Sequence, residues 1–282
     1  MFQVKTVLFP VDFSDACRAA SDQVASMAAH FGAKLLLFHV VQMPAAWYGD
    51  AVAFNAIIDV GEVALERKRA LDGLLGQRDD VAIKRILAYG DIAQAIVECA
   101  RKERVDLIMM PTHGCGMFRR FLIGSVTAKV LHDADVPVWT DAHLPHPDAA
   151  EGDECIICGV DLKSDMAPAI AWASQYSQSY GFDLQLVHAA PGYDEKHGEI
   201  ISPGHSVEDA RTRIAELEKE AGIEARVAIK AGPVAQVLRE AAVEYRARAI
   251  VIGQGSLHKA MGRLRTNTYA IVREAPCPVV RC

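Results

Sequence analysis

The chain has 282 residues, of which 51% are hydrophobic and 23% charged, and its formal net charge at pH 7 is −6. This length and composition are typical of a soluble globular protein with two domains. The acidic balance argues against a nucleic-acid partner, and no apolar run approaches the length that spans a membrane. No signal-peptide pattern is visible before the first strand pattern, and the seven scattered cysteines are typical of reduced thiols, so we expect a cytoplasmic protein.

Strands and helices alternate along the first half of the chain, which predicts a parallel sheet with right-handed crossovers. A first strand over 5–12 ends at Asp12, and Ser14 caps a helix that closes at Gly32. The segments that follow are a strand over 33–41, an irregular stretch from 42 to about 60, a helix over 62–75, a strand over 81–88, a helix from 90 to about 103, a strand over 105–110, a helix from 125 and a strand over 137–140.

The second half of the chain repeats the first. Four pairs of matching residues mark the repeat: Asp12 with Asp161, His39 with His188, Gly90 with Gly232, and Pro137 with Pro278. The first two pairs are 149 residues apart and the last two are 142 and 141 apart, so about seven residues are lost after the second strand. We predict two tandem α/β domains, 1–141 and 154–282, joined by a polar linker over 142–153. Each is predicted to have an open, mostly parallel five-stranded sheet of order 3-2-1-4-5 with helices on both faces.

The cradle segment, residues 111–125, joins the fourth strand to the next helix. A glycine before a helix N-terminus lets the backbone approach an anion, and the helix dipole favours negative charge there. Ser125 is predicted to cap this helix, and Arg119 and Arg120 could add charge-assisted hydrogen bonds to an anion. The residues alone leave two readings open: a phosphate site, or a strand-to-helix turn without a ligand.

Asp12 is placed at the carboxyl end of the first strand, where ligands bind in open α/β sheets. In the predicted strand order it faces the same crevice as the cradle segment. Its carboxylate either accepts hydrogen bonds from ribose hydroxyls or serves only as a turn residue that helps to cap the first helix. The chain lacks G-x-G-x-x-G after the first strand and G-K-[ST] after its glycines, which disfavours a dinucleotide fold and a Walker-type P-loop.

The second repeat departs from the first in the cradle segment. Aligned from the prolines of the fifth strands, Gly114 matches Gly255, but Gly124 matches Arg265. A bulky cation then replaces the glycine and stands at the positive end of a helix, which is unfavourable. The second domain is therefore predicted to have lost the nucleotide, unless Arg265 itself reaches a phosphate.

These features together resemble the universal stress protein family over nearly the whole chain. The ATP motif of that family is G-x-x-G, nine residues, then G-[ST]. The corresponding residues are Pro111-Thr-His-Gly114, nine residues from Cys115 to Ile123, and Gly124-Ser125. The strand ends Phe9-Pro-Val-Asp12-Phe-Ser14 and Phe38-His-Val40 are also similar to the family, as is Gly90-Asp91.

The resemblance implies an adenine nucleotide site in the first domain. Asp12 would hold the ribose, the backbone of Val40 would meet adenine, and the glycines of the motif with Ser125 and the Val126 amide would hold the phosphates. The predicted nucleotide-binding residues are Asp12, Val40, Met110, His113, Gly114, Gly124, Ser125 and Val126. No catalytic or metal-binding residue is predicted. Pro111 departs from the family's first glycine and removes one N–H, which leaves nucleotide occupancy open.

The sequence is compatible with three functions. The leading one is a stress-response protein that binds ATP, or ADP or AMP, with Mg²⁺ as a potential companion ion. The alternative is a scaffold without nucleotide, and the third is a slow ATPase, for which no catalytic base is identified. The fifth strands are predicted at sheet edges, so we expect pseudo-twofold pairing of the two domains, with a homodimer as a further option.

Overall fold

The computed structural model describes residues 4–42, 54–112, 123–141, 154–162, 165–190, 193–194, 199–200, 207–254 and 264–282. These residues form two compact units, of which the first ends at Val138 and the second begins at Trp139. Several predictions lie outside the described residues: the linker over 142–153, His113, Gly114, Arg119 and Arg120. No helix in the described ranges is long and apolar enough to cross a membrane.

The first unit alternates strands with helices, as its sequence predicts. In chain order the elements are β1 (Thr6–Pro10), α1 (Asp15–His30), β2 (Lys34–Val41), α2 (Phe54–Gly73), β3 (Ile83–Tyr89), α3 (Ile92–Lys102), β4 (Leu107–Pro111), α4 (Ser125–Asp133) and β5 (Val138–Asp141). The boundary between the two units falls inside β5.

The second unit repeats this alternation and adds one short antiparallel pair of strands, β8 and β9. Its elements are β6 (Cys155–Gly159), α5 (Ala167–Tyr180), β7 (Asp183–Ala190), β8 (Tyr193–Asp194), β9 (Glu199–Ile200), α6 (Val207–Ala221), β10 (Arg226–Ala231), α7 (Val234–Glu244), β11 (Ala247–Ile252), α8 (Leu264–Glu274) and β12 (Val279–Arg281).

The strand order is the same in both units. In the first, β2 lies between β1 and β3, β4 lies on the other side of β1, and β5 follows β4. In the second, the order is β10-β7-β6-β11-β12, and β6, β7, β10, β11 and β12 pair in parallel. The predicted α/β fold with strand order 3-2-1-4-5 is therefore confirmed.

The core of the first unit lies around its central strands. Leu35, Leu36 and Leu37 are consecutive in β2 and all are 0% exposed. Because successive side chains of a strand point to opposite faces, both faces of this strand are covered, as in parallel sheets that carry helices on both sides.

Helix α2 begins earlier than the sequence predicts. The irregular stretch was expected to reach about residue 60 and the helix to start near Glu62, but the helix begins at Phe54. Gly61, which falls between the two predicted segments, lies inside the helix. A single glycine inside a helix costs only about 1 kcal/mol, so the helix can continue through it.

Arg85 on β3 links the C-terminal end of α2 to the sheet by hydrogen bonds. Its guanidinium donates to the carbonyl oxygens of Leu71 at 2.9 Å, Leu74 at 2.8 Å and Gly76 at 2.7 Å. We expect Arg85→Met to lower the free energy of unfolding of the first unit by about 1.5–3 kcal/mol, because hydrogen bonds from a charged donor are lost. Urea titration measures this, with the exposed Arg69→Met as the control expected to change stability by less than about 0.5 kcal/mol. Equal stability of both variants would show that the three bonds contribute nothing.

Candidate functional site

Three strand ends of the first unit lie at one level. In the β1–β2 register Pro10 pairs with Phe38, which places Asp12 level with Val40. In the β1–β4 register Leu8 pairs with Ile108, which places Asp12 level with Thr112. Because neighbouring strands lie about 4.8 Å apart, the predicted base, ribose and phosphate positions follow one another in that order along the carboxyl edge of the sheet.

The Asp12 carboxylate has a turn role on one side. Its Oδ1 accepts from the backbone N of Ser14 at 2.9 Å and from the Ser14 hydroxyl at 2.6 Å. The Ser14 oxygen in turn accepts from the Cys17 amide at 3.1 Å and caps α1. Asp12 is exposed, and both hydrogen bonds from Ser14 go to Oδ1. The turn role that the sequence left open is present, and the exposed carboxylate remains accessible to a ligand.

The chain leaves the sheet directly after Asp12. Phe13 has a φ of 59°, a left-handed conformation that is uncommon for a bulky residue. Its ring is buried and lies 4.8 Å from the His39 ring, and the Arg67 guanidinium lies 5.8 Å from the Phe13 ring centre. The point at which the chain leaves the sheet after β1 is therefore stabilised by the packing of the Phe13 ring.

The backbone of Val40 faces the space that β1 vacates. Phe38 accepts from the Val11 N–H at 2.7 Å, whereas Val41 accepts from the Gly90 N–H at 3.2 Å. Since alternate residues of a strand present their backbone groups to the same neighbour, Val40 faces the β1 side like Phe38. Within the described ranges, neither the N–H nor the C=O of Val40 has a backbone partner there. Val40 is only 7% exposed, and buried backbone groups without partners are rare.

The surroundings of His39 lower its pKa, which favours the neutral imidazole. Burial lowers this pKa most, the hydrogen bond with the Val11 carbonyl and the charge of Asp12 raise it, and the charge of Arg67 lowers it further. Nδ1 lies 2.6 Å from the Val11 oxygen, and since a carbonyl oxygen can only accept, Nδ1 carries the proton.

The phosphate end of the site is formed by the start of α4. Gly124 is the N-cap of this helix, with φ −59° and ψ 146°, and its N–H donates to Thr112 O at 3.0 Å. The prediction that Ser125 caps the helix is wrong: Ser125 is the first helical residue, because Gly124 takes the extended conformation that a cap requires. A glycine cap has no side chain to satisfy the first helical amides, so these can donate to an anion.

Within the part of the chain that the structure describes, nothing requires a glycine at position 124. Its φ of −59° is open to any residue. A Cβ at this position would meet Thr112 O at 3.5 Å and Thr127 Oγ1 at 3.7 Å, which are ordinary contact distances. By contrast, Gly90 has a φ of +124°, which requires glycine. The glycine at 124 therefore leaves space that the described fold does not use.

Two contacts hold the start of α4 in place. Thr127 Oγ1 donates to Pro111 O at 3.3 Å, and Lys129 forms an ion pair with Asp91 at 3.0 Å. Asp91 also caps α3 by accepting from the Gln94 amide at 2.9 Å. The Gln94 hydrogen bond, followed by that of Lys129, holds the Asp91 pKa below its usual range.

The sequence profile of the universal stress protein family matches residues 3–140 and again residues 154–282. The chain belongs to this family. One relative, "Universal stress protein in QAH/OAS sulfhydrylase 3'region" of Thermus aquaticus, is 34% identical over 138 residues, which cover 48% of this chain and 96% of that protein. Universal stress protein MJ0577 of Methanocaldococcus jannaschii is 27% identical over 149 residues, covering 48% of this chain and 92% of that protein.

Solved structures support the tandem arrangement of this universal stress protein. The crystal structure of a universal stress protein from Archaeoglobus fulgidus DSM 4304 covers 100% of this chain, and 99% of that chain is covered in return, with a TM-score of 0.73. At 20% sequence identity this similarity shows the fold alone. The resemblance to universal stress proteins read from the sequence is confirmed.

The predicted site residues of this universal stress protein are distributed as follows. Register and chain continuity bring Asp12, Val40, Gly124 and Ser125 to one edge of the first unit, and Met110 is buried at the end of β4. Val126 belongs to the first turn of α4. Sequence reasoning missed the roles of Phe13 and His39. The signal for His39 is its repetition at His188, the equivalent position of the second half.

The second unit of the universal stress protein keeps part of this arrangement. His188 Nδ1 lies 2.8 Å from Val160 O, as His39 does from Val11 O. Beyond the end of β11, however, a Cβ on Gly253 would lie 3.0 Å from Met166 Sδ. Met166 is 1% exposed, so its side chain fills the space beside this strand end.

Proposed function

We propose that the first unit binds an adenine nucleotide, with ATP as the expected ligand. The exposed oxygen of Asp12 holds the ribose, the backbone of Val40 reads the base, and the amides at the start of α4 with the Ser125 hydroxyl hold the phosphates. Met110, His113, Gly114 and Val126 complete the predicted set. The protein is proposed to act in the cytoplasm as a stress-response protein that binds its ligand without turnover.

The observation that carries this proposal is that the N–H and the C=O of Val40 have no backbone partner within the described ranges. The N–H of Val40 can donate to the N1 acceptor of adenine, and the C=O can accept from its N6 amino group. Hypoxanthine presents the opposite pattern on that edge, an N1–H donor and an O6 acceptor. A site that hydrogen-bonds a ligand group rejects an analogue that leaves its buried polar groups unpaired. The geometry therefore favours adenine over other purines.

The start of α4 supports a phosphate at the other end of the ligand. Its amides follow a glycine cap, and the described residues leave space at Gly124 for a ligand. Pro111 removes one N–H that the family's first glycine would offer, but its carbonyl accepts from Thr127 and it ends β4 in regular conformation. The proline is therefore compatible with the proposed site.

Isothermal titration tests the proposal with four ligands: ATP, ADP, AMP and ITP, each with Mg²⁺ and with EDTA. We expect ATP to bind and ITP to bind at least about tenfold more weakly, because the base edge is mismatched. Dependence on Mg²⁺ would identify the metal as part of the ligand. If no heat of binding is measured with ATP at millimolar concentration, the nucleotide function is wrong and the scaffold alternative is favoured. Release of phosphate in the same samples would make the protein an ATPase.

Pro111 is the feature that favours the scaffold alternative, since it departs from the family's ATP motif. In that case the two units would serve protein contacts alone. The predicted pseudo-twofold pairing and the homodimer stay predictions, and sedimentation of the purified protein with and without ATP measures the oligomeric state.

A further inference from the structure

The carbonyl oxygen of Val11 has a side-chain partner where a backbone partner is expected. The Val11 N–H donates to Phe38 O at 2.7 Å, so Val11 still belongs to the ladder with β2. In a continued parallel ladder the N–H of Val40 would donate to Val11 O. His39 Nδ1 lies 2.6 Å from this oxygen instead. The imidazole therefore takes the place of the last ladder bond.

The surroundings of the imidazole keep it in that place. The Phe13 ring packs 4.8 Å from it, and Phe13 turns the chain away from β2 with its φ of 59°. His39 is half-buried, and its neutral ring retains the Nδ1 proton that the Val11 carbonyl needs. The carbonyl is satisfied without drawing Val40 toward it.

We propose that His39 is a positioning residue for base recognition: by donating to the Val11 carbonyl, it keeps the N–H of Val40 out of the ladder and available to a purine. The identity of the ligand in this proposal rests on the proposed function. His39 acts through the backbone of Val40 and does not itself touch the base. Without the imidazole donor, the Val40 N–H closes onto Val11 O and the base edge is lost.

The chain offers matched variants for this proposal. Leucine at position 39 has no donor, whereas asparagine carries an N–H₂ group about where histidine carries Nδ1. The second unit supplies a control, because His188 makes the same bond to Val160 O at 2.8 Å and the Val160 N–H donates to Val187 O at 2.8 Å. Its cradle glycine is replaced by Arg265, so the same change there should not affect ATP.

Hydrogen exchange at the Val40 amide tests the proposal without any nucleotide. In protein labelled with ¹⁵N-valine, we expect the Val40 N–H to exchange about tenfold more slowly in His39→Leu than in wild type, because it gains the bond to Val11 O. His39→Asn should exchange like wild type. Loosening of the fold would instead speed exchange at Val40 and at Val7 of β1 together. Unchanged or faster exchange at Val40 in His39→Leu would overturn the proposal.

Titration of the same variants tests its consequence for the ligand. His39→Leu should bind ATP about tenfold more weakly and lose its preference for ATP over ITP, while its affinity for tripolyphosphate stays that of wild type. His39→Asn should restore ATP affinity, and His188→Leu should leave it unchanged. If wild type binds no ATP, the nucleotide function fails, and the exchange result still decides the role of His39. If wild type binds ATP and His39→Leu binds it equally well, the positioning role is wrong and the nucleotide function stands.

Discussion

Gly124→Arg is expected to abolish ATP binding while the first unit stays folded. The arginine copies the residue that the second repeat carries at this position, Arg265. Its side chain would fill the space beside the first amides of α4, so that two or more charge-assisted hydrogen bonds to phosphate are lost. Each such bond contributes about 1.5–3 kcal/mol, so we expect affinity to fall more than about a hundredfold. Titration with ATP measures this, and circular dichroism with thermal unfolding checks the fold.

The fold should tolerate the change because the local backbone accepts a side chain. A Cβ on Gly124 meets Thr112 O at 3.5 Å and Thr127 Oγ1 at 3.7 Å, without overlap. The cation at the helix N-terminus is expected to destabilise by only about 0.3–1 kcal/mol. Gly124→Ala separates the effect of side-chain volume from that of charge, and it should lower the affinity for ATP less than Gly124→Arg does. ATP binding by Gly124→Arg at wild-type affinity would remove α4 from the site.

The reverse substitution is a separate control. Arg265→Gly should not create a nucleotide site in the second unit, because Met166 fills the space next to Gly253 at the end of β11. A second equivalent of ATP bound by Arg265→Gly would show that the glycine alone makes the difference between the two units.

The sequence predicted most element ends because these depend on local patterns, and the strand order because alternating strands and helices indicate a doubly wound parallel sheet. Apolar runs predict buried strands, and glycine, aspartate and serine mark where they stop. Asp91 caps α3 by accepting from the Gln94 backbone N–H, directly after Gly90, where the sequence predicts that this helix opens. The repeated spacing then fixed the tandem arrangement, since two copies of one pattern fold alike.

The features that shape the candidate site could not be predicted in this way. Where β1 leaves the sheet is set by the left-handed φ of Phe13 and by a hydrogen bond between His39 and Val11, which are 28 residues apart in the chain. Local propensity does not favour a phenylalanine with positive φ. The cap of α4 was misplaced by one residue for a related reason: serine is the better capping type, but the backbone at Gly124 takes the capping conformation.

Asp12→Asn is expected to weaken ATP by roughly ten- to a hundredfold, the equivalent of about 1.5–3 kcal/mol for hydrogen bonds to a charged group. Asparagine suits this test better than alanine. Oδ1 of Asp12 accepts from the N–H and the hydroxyl of Ser14, and an asparagine oxygen can keep both bonds. What is lost is the charge and the second acceptor, which the ribose hydroxyls would use. Alanine would remove the turn as well and mix a folding effect with a binding effect.

Asp161→Asn supplies the matched control for this change. Asp161 occupies the equivalent position after β6, in the unit whose cradle glycine is replaced by arginine, so its substitution should leave ATP affinity unchanged. The measurement is titration of both variants beside wild type, with thermal unfolding to show that each remains folded. If Asp12→Asn binds ATP like Asp161→Asn and wild type, the carboxylate is a turn residue alone and the ribose lies elsewhere. If only Asp12→Asn loses affinity while its melting temperature is kept, the exposed oxygen of Asp12 is the ribose ligand.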